Sequence, residues 1–323
     1  MAHAVMLRIG DFTVPSPIML APMAGITDLP FRLIARSFGC AFAFVEMISA
    51  RALVYQSKKT EQMLSTVPED RPLGVQLLGN DPEVLKKALD KLRRYRFDLI
   101  DFNAACPANK VTGKGKGAGL LKEPSRLRDL LKVIVADAEV PVTVKIRAGW
   151  DDATVNAREV ALYAQDAGVQ GLFIHGRTRA QRYSGRVDYG IIRSVKEAVA
   201  IPVIASGDAF SPLLVKKMFD ETGCDGVAVA RGALGNPWIF RSIPEFLESG
   251  LPLQAPDRSE VADTMTRHLD SCIDIYGEKI GTILFRKLFA WYTRGITGMK
   301  PLKDKAFRAE TRDQMVRSID AIR

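Results

Sequence analysis

The chain has 323 residues, 47% of them hydrophobic, and carries a formal net charge of +9. That length holds one large domain plus a smaller one, and that apolar content excludes a disordered chain. The positive charge suits a polyanionic partner, nucleic acid above all, and its placement along the chain matters more than its sum.

The first element is VMLRIGDFTVP (5–15), which reads as a β-hairpin turning at Gly10-Asp11 and placed to plug the lower end of a barrel. Eight short apolar runs come next: PIMLAPM (17–23), AFAFVEM (41–47), LGVQLLG (73–79), DLIDFNA (98–104), VPVTVKIR (140–147), GLFIHGR (171–177), IPVIASGD (201–208) and DGVAVARG (225–232). Runs of this kind are strands buried on both faces, the pattern of a parallel sheet. Amphipathic segments separate them. DPEVLKKALDKLRRY offers Asp81 as an N-cap and Pro82 at the first helical position, and PSRLRDLLKVIVADA, TVNAREVALYAQDAG, YGIIRSVKEAV and SPLLVKKMFDETG follow the same rule. Eight strand–helix units over about 220 residues predict an α/β fold, a (β/α)8 TIM barrel, with a doubly wound sheet as the alternative.

After GNPWIF the strand-like runs stop. SEVADTMTRHLDSCIDIYG, KIGTILFRKLFAWYTRGI and DKAFRAETRDQMVRSIDAI predict a C-terminal all-α helical bundle, so the expected domains are residues 1–242 and 243–323. From Lys279 to Arg323 there are 11 Lys/Arg against 4 Asp/Glu, which is either a solvated helix face or a surface for a polyanion. No apolar run reaches the roughly 18 residues of a membrane span. The opening MAHAVMLRIGDF lacks the basic-then-apolar layout of a secretory signal, so no membrane contact and a cytoplasmic location are expected.

Barrels of this class carry their chemistry at the carboxyl ends of the strands. There the sequence places Met23, Glu46, Gln76, Asn103 with Cys106, Lys145 with Arg147, His175 with Arg177, Ser206-Gly207-Asp208 and Ala230-Arg231-Gly232. Lys145 lies inside a buried strand, where an unpaired ammonium costs several kcal/mol. It is either a pore lysine satisfied by a carboxylate or a cation facing an anionic ligand. His175 and Gln76 are either satisfied core groups or ligand contacts. The glycines after the last two strands, with Arg231, suit a phosphate bound by backbone N–H groups. The four cysteines, Cys40, Cys106, Cys224 and Cys272, form no Cys-x-x-Cys pair, which argues against zinc and against a disulfide framework; no metal is expected. Cys106 heads CPANKVTGKGKGAG, a stretch whose glycines suggest a flexible loop and whose lysines suit a polyanion.

LAPMAGITDLPFR, NAACPANKV, VPVTVKIRAGWDD, FIHGRTRAQRYSG, IPVIASGD and GNPWIF together resemble the tRNA-dihydrouridine synthases, most closely the bacterial B-type branch, in order from about residue 7 to 245. The resemblance implies an FMN-dependent oxidoreductase that saturates the C5=C6 bond of uridines in tRNA, with NADPH as electron donor. It implies that Pro22, Met23 and Ala24 line the flavin, that Gln76 and Lys145 contact its ring, and that His175 lies beside it. Ser206, Gly207, Asp208, Ala230 and Arg231 would hold its ribityl chain and phosphate. Cys106 would be the catalytic acid that protonates C5 after hydride reaches C6, a task that suits a thiol, mostly protonated at neutral pH. Asn103 beside it, with Lys110, Arg177 and Arg179, would meet the substrate. The family's usual NMGCP and GR stand here as NAACP and AR, so Ala105 and Ala230 replace glycines. The expected partner is tRNA, with a base turned out of the stack to reach the pocket, and the expected state is a monomer. Two rival readings keep the same barrel: a flavin enzyme acting on dihydroorotate or another small pyrimidine, and a non-catalytic tRNA-binding protein. A flavin-free phosphosugar barrel is a third.

Overall fold

A computed structural model describes residues 7–323, so Val5 and Met6 of the expected hairpin lie outside the described residues. Strands β1 (Leu7–Ile9) and β2 (Phe12–Val14) pair antiparallel around Gly10-Asp11. The other strands are β3 (Ile18–Leu20), β4 (Ala43–Phe44), β5 (Ile48–Ser49), β6 (Leu73–Leu78), β7 (Leu99–Asn103), β8 (Val142–Arg147), β9 (Gly171–His175), β10 (Val203–Ser206) and β11 (Gly226–Val229). They run β4-β3-β11-β10-β9-β8-β7-β6, all parallel, and β4 closes the ring onto β6. This is the closed eight-stranded barrel, not the doubly wound sheet.

The second expected strand is interrupted. Its first part, β4, pairs Ala43 with Leu73 of β6, and β5 pairs Ile48 with Leu77 further along the same strand. Between them the Glu46 side chain turns away to accept the N–H of Gly25.

Side chains alternate along each strand, so every second residue enters the barrel. Met19, Phe44, Leu99, Phe173, Ile204 and Ala228 do so, and they pack with Leu7, Ile9 and Val14 of the hairpin into one apolar cluster that seals the lower end. Phe44 meets Phe42 and Phe173 edge-on, with centroids 5.1 and 5.5 Å away. Gly74 faces this stack, where a Cβ would sit 2.5 Å from the Phe44 ring. Bulk on β4 therefore requires its absence on β6.

Helices cover the barrel outside. Asp28, Asp81, Asp188 and Ser211 cap four of them through side-chain oxygens, and Pro82 and Pro212 open two. The helix Ile239–Ser249 crosses the boundary expected between residues 242 and 243, and it packs on Pro212–Thr222 and on β3, as the eighth barrel helix must. The helical unit begins after it, through the exposed stretch 250–255, with Arg258–Tyr276, Glu278–Tyr292, Lys300–Ala306 and Arg312–Asp320. It docks on the barrel through Arg258–Tyr276 against Leu29–Ser37, with His268 edge-on to Phe31 and the Tyr276 hydroxyl donating to Asp28 at 3.2 Å. No helix among the described residues is long and apolar enough to cross a membrane.

One buried ion pair ties the helix after β3, Leu29–Ser37, to the segment before β6. Arg32 and Asp70 are both fully buried; Arg32 Nε donates to Asp70 Oδ2 at 2.8 Å, while Nη1 and Nη2 donate to the carbonyls of Thr27 (2.8 Å) and Ser65 (3.0 Å). Removing one partner strands the other charge in the interior. Asp70→Ala is expected to destabilise the protein by about 3–5 kcal/mol, read as a lower denaturant midpoint, whereas Arg32→Met/Asp70→Leu recovers much of the loss. A midpoint unchanged in Asp70→Ala contradicts this reading.

Candidate active site

The carboxyl ends of the strands surround a cavity of about 400 Å³, within the range of small-molecule sites. Pro22, Met23 and Ala24 form one wall, Gln76, Asn103 and Cys106 a second, Lys145 and His175 a third, and Ser206, Gly207, Asp208, Ala230 and Arg231 a fourth. Register explains the convergence: Asn103 of β7 stands beside Lys145 of β8, and Ser206 of β10 beside His175 of β9.

Cys106 is the only half-buried cysteine; Cys40, Cys224 and Cys272 are buried, and burial pushes the Cys40 thiol up to about 12. The Cys106 N–H donates to Asn103 Oδ1 at 2.8 Å, and the Ala105 N–H to the same oxygen at 3.1 Å. Asn103 Nδ2 donates to Gln76 Oε1, and Gln76 Nε2 to Asp101 Oδ2, both at 2.7 Å. Thr143 Oγ1 donates to Asp101 Oδ1 at 2.8 Å. Asp101 is 1% exposed, and burial raises its carboxyl to about 6. Burial lowers the Lys145 ammonium to about 8, against the pull of Asp101. Lys145 thus has a carboxylate near it, one layer deeper, and still borders the cavity.

The fourth wall presents donors. The N–H groups of Gly207, Asp208 and Ala209 have no acceptor among the described residues. Gly207 has φ +115°, and a Cβ there would lie 2.8 Å from the His175 ring, so only glycine lets this backbone pass. Asp208, at φ +52°, is held in the left-handed region by Arg231 Nη2 (2.9 Å) and by both terminal nitrogens of Arg177. Ala105 has no positive φ and Ala230 has φ −114°, so neither position demands the glycine common in the family.

Arg177 does not line the cavity, which corrects its expected contact with substrate. It is 2% exposed and spends its donors on Asp208 and on the carbonyls of Ser184 and Gly185. Arg179 and Lys110 do not line the cavity either: Arg179 is stacked 4.3 Å from the Trp150 ring and bonded to Asn109, and Lys110, next to Asn109, is exposed. The stretch after Cys106 is also not the open loop its glycines suggest. It folds as a helical turn, Asn109–Thr112, and a 3-10 helix, Gly117–Lys122. Gly117 packs on Cys106, where a Cβ would lie 2.9 Å from the Cys106 carbonyl oxygen.

Asp101, Arg147 and Tyr183 have parts in the site that residue order did not assign, although it did place Arg147 at a strand end. Asp101 and Arg147 could have been given theirs by period two, since they stand two positions from Asn103 and Lys145 on the same strand faces. Arg147 Nε donates to the Ala105 carbonyl at 2.8 Å and its Nη1 to those of Thr178 (3.0 Å) and Arg182 (2.9 Å), which clamps the Cys106 loop to the loop after β9. Tyr183, an exposed cavity residue 4.5 Å from the Arg231 guanidinium carbon, carries no sequence signal.

A family model described as dihydrouridine synthase matches residues 19–322. The chain is 38% identical over 313 residues to tRNA-dihydrouridine synthase B of Pseudomonas aeruginosa, covering 97% of this chain and 94% of that one. It is 39% identical over 292 residues to a probable tRNA-dihydrouridine synthase of Rickettsia conorii, covering 90% and 88%. Among solved structures, an old yellow enzyme homologue from Zymomonas mobilis superposes with TM-score 0.52 at 12% identity, over 80% of this chain and 95% of that one. Morphinone reductase does so with TM-score 0.55 at 13% identity, over 79% and 91% of the respective chains. At that identity the likeness speaks to the barrel alone. Fold and family together define an oxidoreductase built on a (β/α)8 barrel. The chain belongs to the dihydrouridine synthase family, in its B-type branch.

His175 gives a test of the site's electrostatics. Burial, then Arg147, Lys145, Arg177 and Arg231, push its imidazole down to about 2, and Arg177 Nη1, which can only donate, sits 3.4 Å from Nε2. The ring is therefore neutral with its proton on Nδ1. A lowered pKa leaves the neutral form in place everywhere above that value, so the His175 ring signals should not shift between about pH 5 and 9. Titration near 6.5 by nuclear magnetic resonance contradicts the assignment.

Proposed function

We propose that this protein reduces the C5=C6 bond of uridines in tRNA to 5,6-dihydrouridine as a flavin enzyme, with FMN as the flavin and NADPH as electron donor, acting as a monomer. The observation that carries the reading is one cavity that joins an accessible thiol, a partly buried ammonium and an unpaired set of backbone N–H groups. The residues fit the flavin: N–H groups of 207–209 and Arg231 suit a phosphate, and Lys145, Gln76 and His175 suit the polar edge of a ring lying against Met23 and Ala24. When bound and reduced, the flavin supplies hydride to C6 of the uracil.

Uracil's C5=C6 bond is conjugated to its C4 carbonyl, so addition at C6 places negative charge on C5 and O4. Cys106 holds a proton at Sγ and delivers it to C5. Lys145 contributes positive charge at the cavity wall. Asn103, its carbonyl already filled by two N–H groups, has one N–H left for a ligand acceptor. Arg179, Lys110 and the exposed Arg182 and Arg186 lie on the loops around the mouth, where a phosphate backbone would pass, and the Lys279–Arg323 helices add further positive charge. The barrel carries the catalytic role and the helical unit tRNA binding, with the division at the exposed 250–255 stretch.

Dihydrouridine counted by mass spectrometry in unmodified tRNA tests the assignment. Wild type should form it, and Cys106→Ala should be slower by about 10²–10⁴-fold. Undiminished multiple turnover in Cys106→Ala would remove the thiol from the role, and turnover of free pyrimidines in place of tRNA would favour the small-molecule reading. Affinity for tRNA should fall steeply between about 50 and 200 mM salt; a salt-independent affinity speaks against the basic rim.

A further inference from the structure

The strand interior holds a carboxylate that the proposed reaction does not touch. Asp101 is buried below the cavity floor and does not line it. Every hydrogen bond in its surroundings points toward it: the N–H groups of Ala105 and Cys106 donate to Asn103 Oδ1, Asn103 Nδ2 to Gln76 Oε1, Gln76 Nε2 to Asp101 Oδ2, and Thr143 Oγ1 to Asp101 Oδ1. Gln76, Asn103 and Thr143 are themselves buried. An amide can be turned end for end at little cost in shape, so its orientation has to come from its partners. Here both ends of the chain run one way. An ionised carboxylate only accepts, and a peptide N–H only donates. Turning either amide would set two acceptors or two donors against each other in this buried layer and leave those polar groups unsatisfied.

We infer that Asp101 is a positioning residue: its carboxylate sets the polarity of the Gln76–Asn103 amide chain, and through it fixes the backbone that carries Cys106 and leaves Asn103 only a donor for the ligand. The donor matters for the substrate class. A carbonyl oxygen, as at position 4 of uracil, satisfies it, whereas the amino group of cytosine in that place sets two donors together. The kinetic part of this inference rests on the proposed reaction; the structural part does not.

The test compares two substitutions in the purified full-length protein. In Asp101→Asn the new amide keeps its oxygen for Gln76 and turns its NH2 to Thr143, whose hydroxyl then accepts, so the chain keeps its direction. Asp101→Leu ends the chain. Asp101→Leu should lower kcat on tRNA by about 10²-fold with KM within about twofold, as expected for a misplaced reacting group, and Asp101→Asn should restore most of that loss. Hydrogen exchange of the 103–108 segment gives a readout that needs no turnover: the Ala105 and Cys106 amides should exchange faster in Asp101→Leu and at the wild-type rate in Asp101→Asn. Should Asp101→Leu not fold, Gln76→Met cuts the chain one link higher and should release the same two amides. Equal damage in Asp101→Asn and Asp101→Leu would overturn the inference, because charge and not polarity would then be at work. Wild-type exchange in Asp101→Leu or Gln76→Met would overturn it as well. A wild-type protein that leaves tRNA unreduced would sink the proposed reaction, and the exchange result would still decide the role of Asp101.

Discussion

Closing eight parallel strands into a ring brings every carboxyl end to one rim, and the period of two sends alternate side chains inward. The inward positions cannot all be apolar at the top, where a ligand enters, nor polar at the bottom, where nothing could satisfy them. The chain divides the barrel accordingly. Phe42, Phe44, Phe173 and the hairpin residues Leu7 and Ile9 fill the lower part. Asp101, Gln76, Asn103 and Thr143 form a closed polar layer above them, and the cavity begins over that layer.

Charge is placed by the same logic. Lys145 reaches the cavity wall from a strand position that would be costly without a counter-charge, and Asp101 supplies one from a deeper layer. Arg177 sits behind the rim, where it holds Asp208 and two loop carbonyls. Two guanidiniums border the cavity, those of Arg147 and Arg231, and Arg231 is steadied by Oδ1 of the same Asp208 carboxylate. Cations thus occur in two roles: Arg147 and Arg177 hold loops in place, and Lys145 and Arg231 remain available to an anion.

Much of this could be read from residue order because the signals were local. Short apolar runs marked the strands, Asp81-Pro82 and Ser211-Pro212 marked helix starts, and strand ends marked the cavity walls. What escaped depends on contacts between distant segments. Arg177 looked like a rim cation because its partners, Asp208 and the 184–185 carbonyls, are set by the fold of two loops. Ile239–Ser249 was divided between domains because a helix on a barrel and a helix in a bundle share one periodicity. The glycines at 117 and 119 suggested looseness; in the structure they allow close packing on Cys106 and on the Thr112 backbone. Period two places Asp101 on the inward face below Asn103, but its partners Gln76 and Thr143 are set by cross-strand register, which residue order does not carry.

The central claim is that a flavin held in this cavity passes electrons to uridine within tRNA. An anaerobic visible spectrum tests it most directly. The purified protein should show oxidised-flavin absorbance, lose it on addition of NADPH, and regain it on addition of unmodified tRNA but not of free uridine. Absence of flavin from protein reconstituted with FMN, or reoxidation by a free pyrimidine with tRNA inert, would contradict the account.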